Sequence, residues 1–198
     1  MWNDIISLLV MLNPIGLFLY LAPIRKDLSK KNFLIVLIKA SLISFLIFLI
    51  FFFSGSFLFE KVFNIEFESF RIFGGIVIFS FAYFFIVKGE KAFIHMKEDL
   101  DDLASEIALP FMVGAGTISL TILISYNNGN FKGVLSILIA IILTFFSILL
   151  LNLIREKMPL KKFRIAFDKN MEVLLRLNGF FIGAIGVNMI ISGILNIL

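Results

Sequence analysis

The sequence predicts an all-α protein that crosses the membrane six times, and three observations carry that reading. Hydrophobic residues make up 60% of the 198, Phe alone supplies 26, and mean hydropathy is +1.04. A soluble domain of this length cannot bury so much apolar surface, so lipid must solvate the excess. Six apolar runs follow one another, at about Ile5–Ile24, Phe33–Phe59, Phe70–Val87, Ile107–Tyr126, Gly133–Ile154 and Leu177–Leu198. Each is long enough for a helix to cross a bilayer, which takes roughly 20 residues. All fourteen Asp and Glu lie outside the runs, as do all Lys and Arg except Lys39 and Arg71. The whole chain, 1–198, therefore reads as a single transmembrane domain.

The first run has no basic flank before it and no small-residue cleavage pattern, so it is expected to be a retained helix and not a signal peptide. Near its middle stand Asn13, Pro14, Ile15 and Gly16. Pro14 lacks an N–H and clashes with the preceding turn, and Gly16 accepts backbone angles that other residues avoid, so the helix should kink or unwind there. In the second run Lys39 is expected near one end, snorkelling to the interface. The third run opens on Phe70-Arg71-Ile72-Phe73-Gly74.

The connection that follows holds His95 and the acidic run Glu98-Asp99-x-Asp101-Asp102. The acidic run lacks the Gly turn and terminal Glu of a calcium loop, and both features read as solvated. In the fourth run Pro110, then Gly114-Ala115-Gly116-Thr117, repeat the interruption of the first, at the matching place in the second half. Beyond the fifth run, 155–176 is strongly basic and fits a juxtamembrane segment facing anionic lipid better than a nucleic-acid site. The sixth run is entered through Leu175-Arg176-Leu177-Asn178-Gly179, the same Arg-x-x-Gly spacing as in the third. Asn188 and Ser192, four apart on one helical face, either line a path or bond neighbouring helices.

An unwound backbone at membrane depth costs several kcal/mol per unpaired amide or carbonyl, so it persists only where protein or a water-filled cavity covers it. Half-helix N-termini suit a carboxylate and half-helix C-termini an ammonium or cation. A zwitterion matches both. With three spans per half, the second half enters the membrane inverted, giving pseudo-repeats of about 1–95 and 105–198. Arg71 and Arg176 then sit in opposite leaflets, either snorkelling to headgroups or capping carbonyls of a neighbouring break.

Fourteen of the eighteen Lys and Arg fall in the connections after runs one, three and five, against Lys61, Arg71 and Lys132 on the other side. Basic connections stay cytoplasmic, which places both termini outside a multi-pass protein of the cell (plasma) membrane.

Taken together, Asn13-Pro14-Ile15-Gly16 followed by Pro23, Phe70-Arg71-Ile72-x-Gly74-Gly75-Ile76, Pro110-x-x-x-Gly114-x-Gly116, and Arg176-x-x-Gly179 with Ala184-Ile185 resemble the MarC-type family of integral membrane proteins. The resemblance covers nearly the whole chain. Ala115 stands where the family usually has Pro, and Asn188 where it usually has Gln. Characterised archaeal members include small neutral amino acid transporters. The resemblance implies two inverted three-helix repeats, with helices 1 and 4 discontinuous and a small-molecule site between them near the midplane. Substrate-binding groups would come from Asn13, Pro14, Ile15, Gly16, Gly114, Ala115, Gly116 and Thr117. Arg71, Arg176 and Asn188 would support the site or its pathway, and glycine, alanine or serine would fit.

Three functional classes compete. An enzyme fares worst, because the interior offers isolated Ser, Thr and Asn with no base beside them. With no Cys and one His there is neither a disulfide nor a metal cluster to expect, and no cofactor. A pore for ions or small solutes could also use broken helices and exposed carbonyls. A carrier, importing or exporting, fits an inverted repeat best. A coupling ion, H+ or Na+, is left open: protons would pass by Asp4 or Glu106, water or the substrate, since the spans hold no Asp, Glu or His. Association into a homo-oligomer is equally open, and no nucleic-acid partner is expected.

Overall fold

The computed structural model describes residues 1–62, 64–88, 100–127 and 129–198, and within these the chain is all α-helix, with no strand. The elements are α1 (Trp2–Leu12), α2 (Pro14–Tyr20), α3 (Ala22–Asp27), α4 (Lys30–Phe57), α5 (Phe67–Lys88), α6 (Leu100–Glu106), α7 (Ala115–Asn127), α8 (Asn130–Lys157) and α9 (Lys161–Ile197). Wider π turns extend α4 over Leu58–Val62 and α6 over Ile107–Met112. Lys91, His95, Lys97, Glu98 and Asp99 of the third connection lie outside the described residues.

Among the described residues, five helical stretches are long and apolar enough to cross a membrane: Trp2–Tyr20, Lys30–Gly55, Glu68–Val87, Asn130–Lys157 and Lys161–Ile197. They correspond to runs one, two, three, five and six. The fourth run is divided between the π turns at Ile107–Met112, which continue α6, and the 13-residue α7, so no single helix there is long enough. The last helix is far longer than its apolar run. α9 begins at Lys161, not near Leu177, because the polar stretch before the run is itself rich in good helix formers and contains no Gly or Pro.

α4 and α8 lie side by side and antiparallel. Lys30 Nζ reaches Glu156 Oε2 at 2.5 Å at one end, and at the other a Cβ on Gly133 would come within 2.4 Å of the Phe52 ring. The largest core cluster joins α1, α2, α4, α6, α7 and α8 around Leu8, Leu12, Phe48, Met112 and Ile141. α5 and α9 cross antiparallel and very closely. A Cβ on Gly75 would sit 2.6 Å from the carbonyl oxygen of Gly186, and one on Gly186 would sit 2.8 Å from that of Gly75. Such mutual backbone approach requires glycine on both helices and is a mode of helix packing in lipid, where small residues bring backbones together.

Ile50, Phe53, Phe146, Leu150, Phe180 and Phe181 point outward and are exposed. In water so much outward apolar surface would drive association; in a bilayer it is the solvated face. Inside, Ser44, Thr121 and Thr144 each donate within their own helix to the carbonyl four residues earlier, at 2.8, 2.7 and 2.8 Å.

Candidate functional site: two apposed helix breaks

The first break is built around one residue. Asn13 is in the left-handed region, at φ 49° and ψ 69°, which ends α1; its N–H still bonds Leu9 O at 3.1 Å. Asn is one of the few residues besides Gly that adopt this conformation at low cost. The same residue starts α2: its carbonyl accepts from Leu17 N at 2.9 Å, and its side-chain Oδ1 accepts from Gly16 N at 3.0 Å. Pro14 occupies the first helical position, where its missing N–H costs nothing to α2 and its fixed φ suits the helix. Only 4% exposed, Asn13 has a buried Nδ2 without a hydrogen-bond partner. Because Oδ1 is engaged by the Gly16 N–H, the unpartnered group is a donor.

Pro14 does cost α1 one bond, because the carbonyl of Val10 has no N–H four residues on. The Asn178 side chain on α9 supplies the missing donor, with Nδ2 at 3.4 Å from Val10 O. Sequence alone assigns Asn178 no role. An amide at membrane depth in an apolar run was the available signal, but its partner lies in another helix.

The second break starts at Leu109, whose extended backbone (φ −119°, ψ 116°) is what a residue before Pro110 adopts. The chain passes through a wide turn, with Val113 N bonded to Ala108 O at 2.8 Å, and restarts as α7 at Ala115. Ala115 thus opens α7 in the position that Pro14 holds in α2, and the break persists without a proline there. Thr117, 5% exposed, secures the restart. Its Oγ1 accepts from Gly114 N at 2.9 Å and lies 3.1 Å from Met112 O and 3.0 Å from Gly114 O, to either of which its hydroxyl donates.

The two breaks use complementary halves of one capping arrangement. At the first, the residue before the helix reaches forward with its side chain to the N–H three positions on. At the second, the residue three positions on reaches back to the N–H before the helix. Each keeps a helix start stable without burying an ionisable group, so polarity at the breaks comes from main chain, one amide and one hydroxyl.

The fold also brings the breaks together. A Cβ on Gly116 would lie 2.7 Å from Met11 Cε, two residues before Asn13, and 2.2 Å from Ile78 Cγ1 on α5. Gly116 therefore has no room for a side chain where the second break meets the first.

The supporting residues divide. Arg176 Nη1 donates to Ile86 O at 3.0 Å, capping the last turn of α5, and its Nη2 reaches Glu172 at 3.2 Å. It caps a helix end and not a break. Arg71 is held by Glu68 at 3.4 Å, and Glu68 in turn accepts from Asn196 Nδ2 at 3.1 Å. Asn188 is exposed, while Ile182, Gly186, Met189 and Gly193 take the inward face of α9. Lys39 does not rely on snorkelling alone, since its ammonium pairs with the carboxylate of Asp101 in the first turn of α6. Asp4 is paired with the N-terminal ammonium at 2.7 Å.

Known proteins give this architecture a family. A family model described as MarC family integral membrane protein matches residues 1–198. Similar chains include a UPF0056 membrane protein of Pyrococcus horikoshii, 26% identical over 96% of this chain and 91% of its own. A UPF0056 membrane protein of Aquifex aeolicus is 25% identical, over 98% and 91% respectively. The UPF0056 membrane protein YvbG of Bacillus subtilis is 29% identical, over 96% and 91%. No solved structure matches the chain. With its full length matched and several membrane-spanning helices in place, the chain belongs to the MarC family of integral membrane proteins.

Proposed function

We propose that this protein carries a small neutral amino acid of the glycine, alanine or serine class across the cell membrane, by alternating access at a midplane site between its two helix breaks. The observation that carries the reading is the apposition of Gly116 with Met11. Two interruptions of the helical hydrogen-bond ladder approach each other through Gly116 and Met11 inside the bundle, where polar main chain is costly unless protein or a ligand covers it. Main-chain carbonyls at the end of α1 and at Met112–Gly114, through lone pairs beyond those their own hydrogen bonds use, would suit the substrate ammonium. The unpaired Asn13 Nδ2 suits its carboxylate. Met11 and Ile78, which crowd Gly116, would favour a substrate with a small side chain.

In this reading α6, its π turns and α7 count together as one interrupted crossing, giving six spans in two inverted sets of three, about 1–95 and 105–198. The basic connections face the cytoplasm and both termini lie outside. The chain carries out no chemistry of its own and needs no cofactor. Coupling to H+ or Na+ would have to use main-chain carbonyls, water or the substrate, because the breaks hold no carboxylate or imidazole.

Purified protein in liposomes tests the proposal. Labelled glycine or alanine should enter with saturable kinetics and show counterflow against an internal pool. Uptake that rises linearly with concentration and lacks counterflow would instead describe a pore.

A further inference from the structure

Along α9, Lys162, Lys169, Phe180, Val187 and Ile194 are spaced by seven or eleven residues, which returns to nearly the same face of a helix. All five are exposed. The face is apolar from Phe180 onward, turned away from the glycine-lined contact with α5, and it becomes cationic where the helix leaves the apolar run. A hydrocarbon core of about 30 Å takes up about 20 helical residues, so counting back from Ile194 ends it near Leu174. Lys169 then falls in the headgroup layer, and Lys162 within about a Debye length of it.

The neighbouring arginines are already committed. Arg155 makes a two-pronged pair with Asp168 at 2.7 and 2.8 Å, and Arg176 holds Glu172 at 3.2 Å. Arg164 caps the end of α8 through Met158 O at 2.9 Å and Glu156 O at 3.4 Å. The ammonium groups of Lys162 and Lys169 have no anionic partner among the described residues; that of Lys162 lies 5.4 Å from the Phe163 ring centre. Two uncompensated cations therefore stand in line with a lipid-facing stripe.

We infer that Lys162 and Lys169 form a binding face for the headgroups of anionic phospholipid, selecting such lipids for the boundary position against α9. The attraction is that of a basic segment at an acidic leaflet, amounting to about a five-fold preference per lysine at low salt. It is independent of what the protein transports.

The chain's single Trp makes a direct test available. A Trp2→Phe/Val173→Trp protein carries its only indole on the exposed side of α9, four residues from Lys169. It is placed in phosphatidylcholine bilayers with increasing dibrominated phosphatidylglycerol or dibrominated phosphatidylcholine, and quenching is compared. Brominated phosphatidylglycerol should compete several-fold better, and the preference should fall toward one in Lys162→Gln/Lys169→Gln or at high salt. Lys132→Gln, at the opposite end of α8, should leave it unchanged. Equal quenching by the two lipids would overturn the inference, as would a preference that survives the double substitution. So would absence of quenching by either lipid, the behaviour of an arm that stands in water or binds nucleic acid.

Discussion

The side-chain amide of Asn178 donates to the carbonyl of Val10 across 168 residues of sequence, repairing the one hydrogen bond that Pro14 removes from α1. The break is therefore a joint property of α1 and α9. Asn178→Leu should leave a buried carbonyl unpaired and lower stability by about 1–3 kcal/mol. In a Pro14→Ala background the residue at 14 can supply its own N–H to Val10, so the same substitution should cost much less. A double-mutant cycle on thermal unfolding in detergent measures the difference; equal costs in both backgrounds would mean that the contact does not compensate for the proline.

Gly116 is the point where a side chain is least tolerable. Gly116→Val should abolish substrate uptake while the protein still inserts, because even its first carbon would meet Ile78 at 2.2 Å and Met11 at 2.7 Å. Both obstacles are side chains, so Ile78→Ala should restore part of the activity and stability of Gly116→Ala, whose overpacking is expected to cost about 1–3 kcal/mol. At the other break, a Cβ at Gly16 would come 2.7 Å from Asn13 Nδ2 and displace the amide that caps α2, so Gly16→Val should also abolish uptake. Full transport in both Val variants would remove the breaks from the substrate site.

Asn13 and Thr117 can be separated by role. Asn13→Asp keeps an oxygen for the Gly16 N–H but replaces the unpaired donor with an anion. Binding of a carboxylate should weaken strongly, seen as a raised KM for glycine, with a smaller effect on folding. Thr117→Val removes the hydroxyl shared by Gly114 N, Met112 O and Gly114 O and should cost about 1–3 kcal/mol of stability, whereas Thr117→Ser should recover most of it.

How much of this was legible in the sequence differs from residue to residue. The helices followed from the apolar runs, because lipid imposes a length and excludes charge. The breaks followed from Pro14, Gly114 and Gly116, because backbone chemistry acts locally. What the sequence concealed is pairing between distant elements. Asn178 and Val10, Lys39 and Asp101, and Arg176 and Ile86 carry no mark of each other along the chain, and the face on which Asn188 lies is decided by where Gly186 and Gly193 meet α5. α9 starts well before its apolar run for a different reason: hydropathy marks where lipid ends, not where the helix does.

Lys39 lies nine residues, about 13 Å, along α4 from Lys30, and pairs there with Asp101. Removing Asp101 alone should do more harm than removing both partners, because Lys39 on an apolar helix would then have to find water or a lipid headgroup as its counter-ion. Asp101→Leu should reduce the yield of folded protein and its thermal stability. Lys39→Leu/Asp101→Leu should recover part of the loss. A double variant worse than either single one would show that the pair stabilises beyond charge compensation.

The topology can be read directly, because the chain has no Cys to mask a label. Single cysteines introduced at Asn127, where α7 ends, and at Lys157, where α8 ends, stand at opposite ends of α8. If 100–127 is one interrupted crossing and the basic connections are cytoplasmic, an impermeant thiol reagent added to intact cells should label only the cysteine at position 127. A third cysteine placed in 88–97 should then stay protected, on the same side as the one at 157. Should the cysteines in 88–97 and at 127 both label from outside, α6 and α7 enter and leave the bilayer on one side. The halves would then not be inverted copies, and the site between the breaks would have to open by movement of a re-entrant segment.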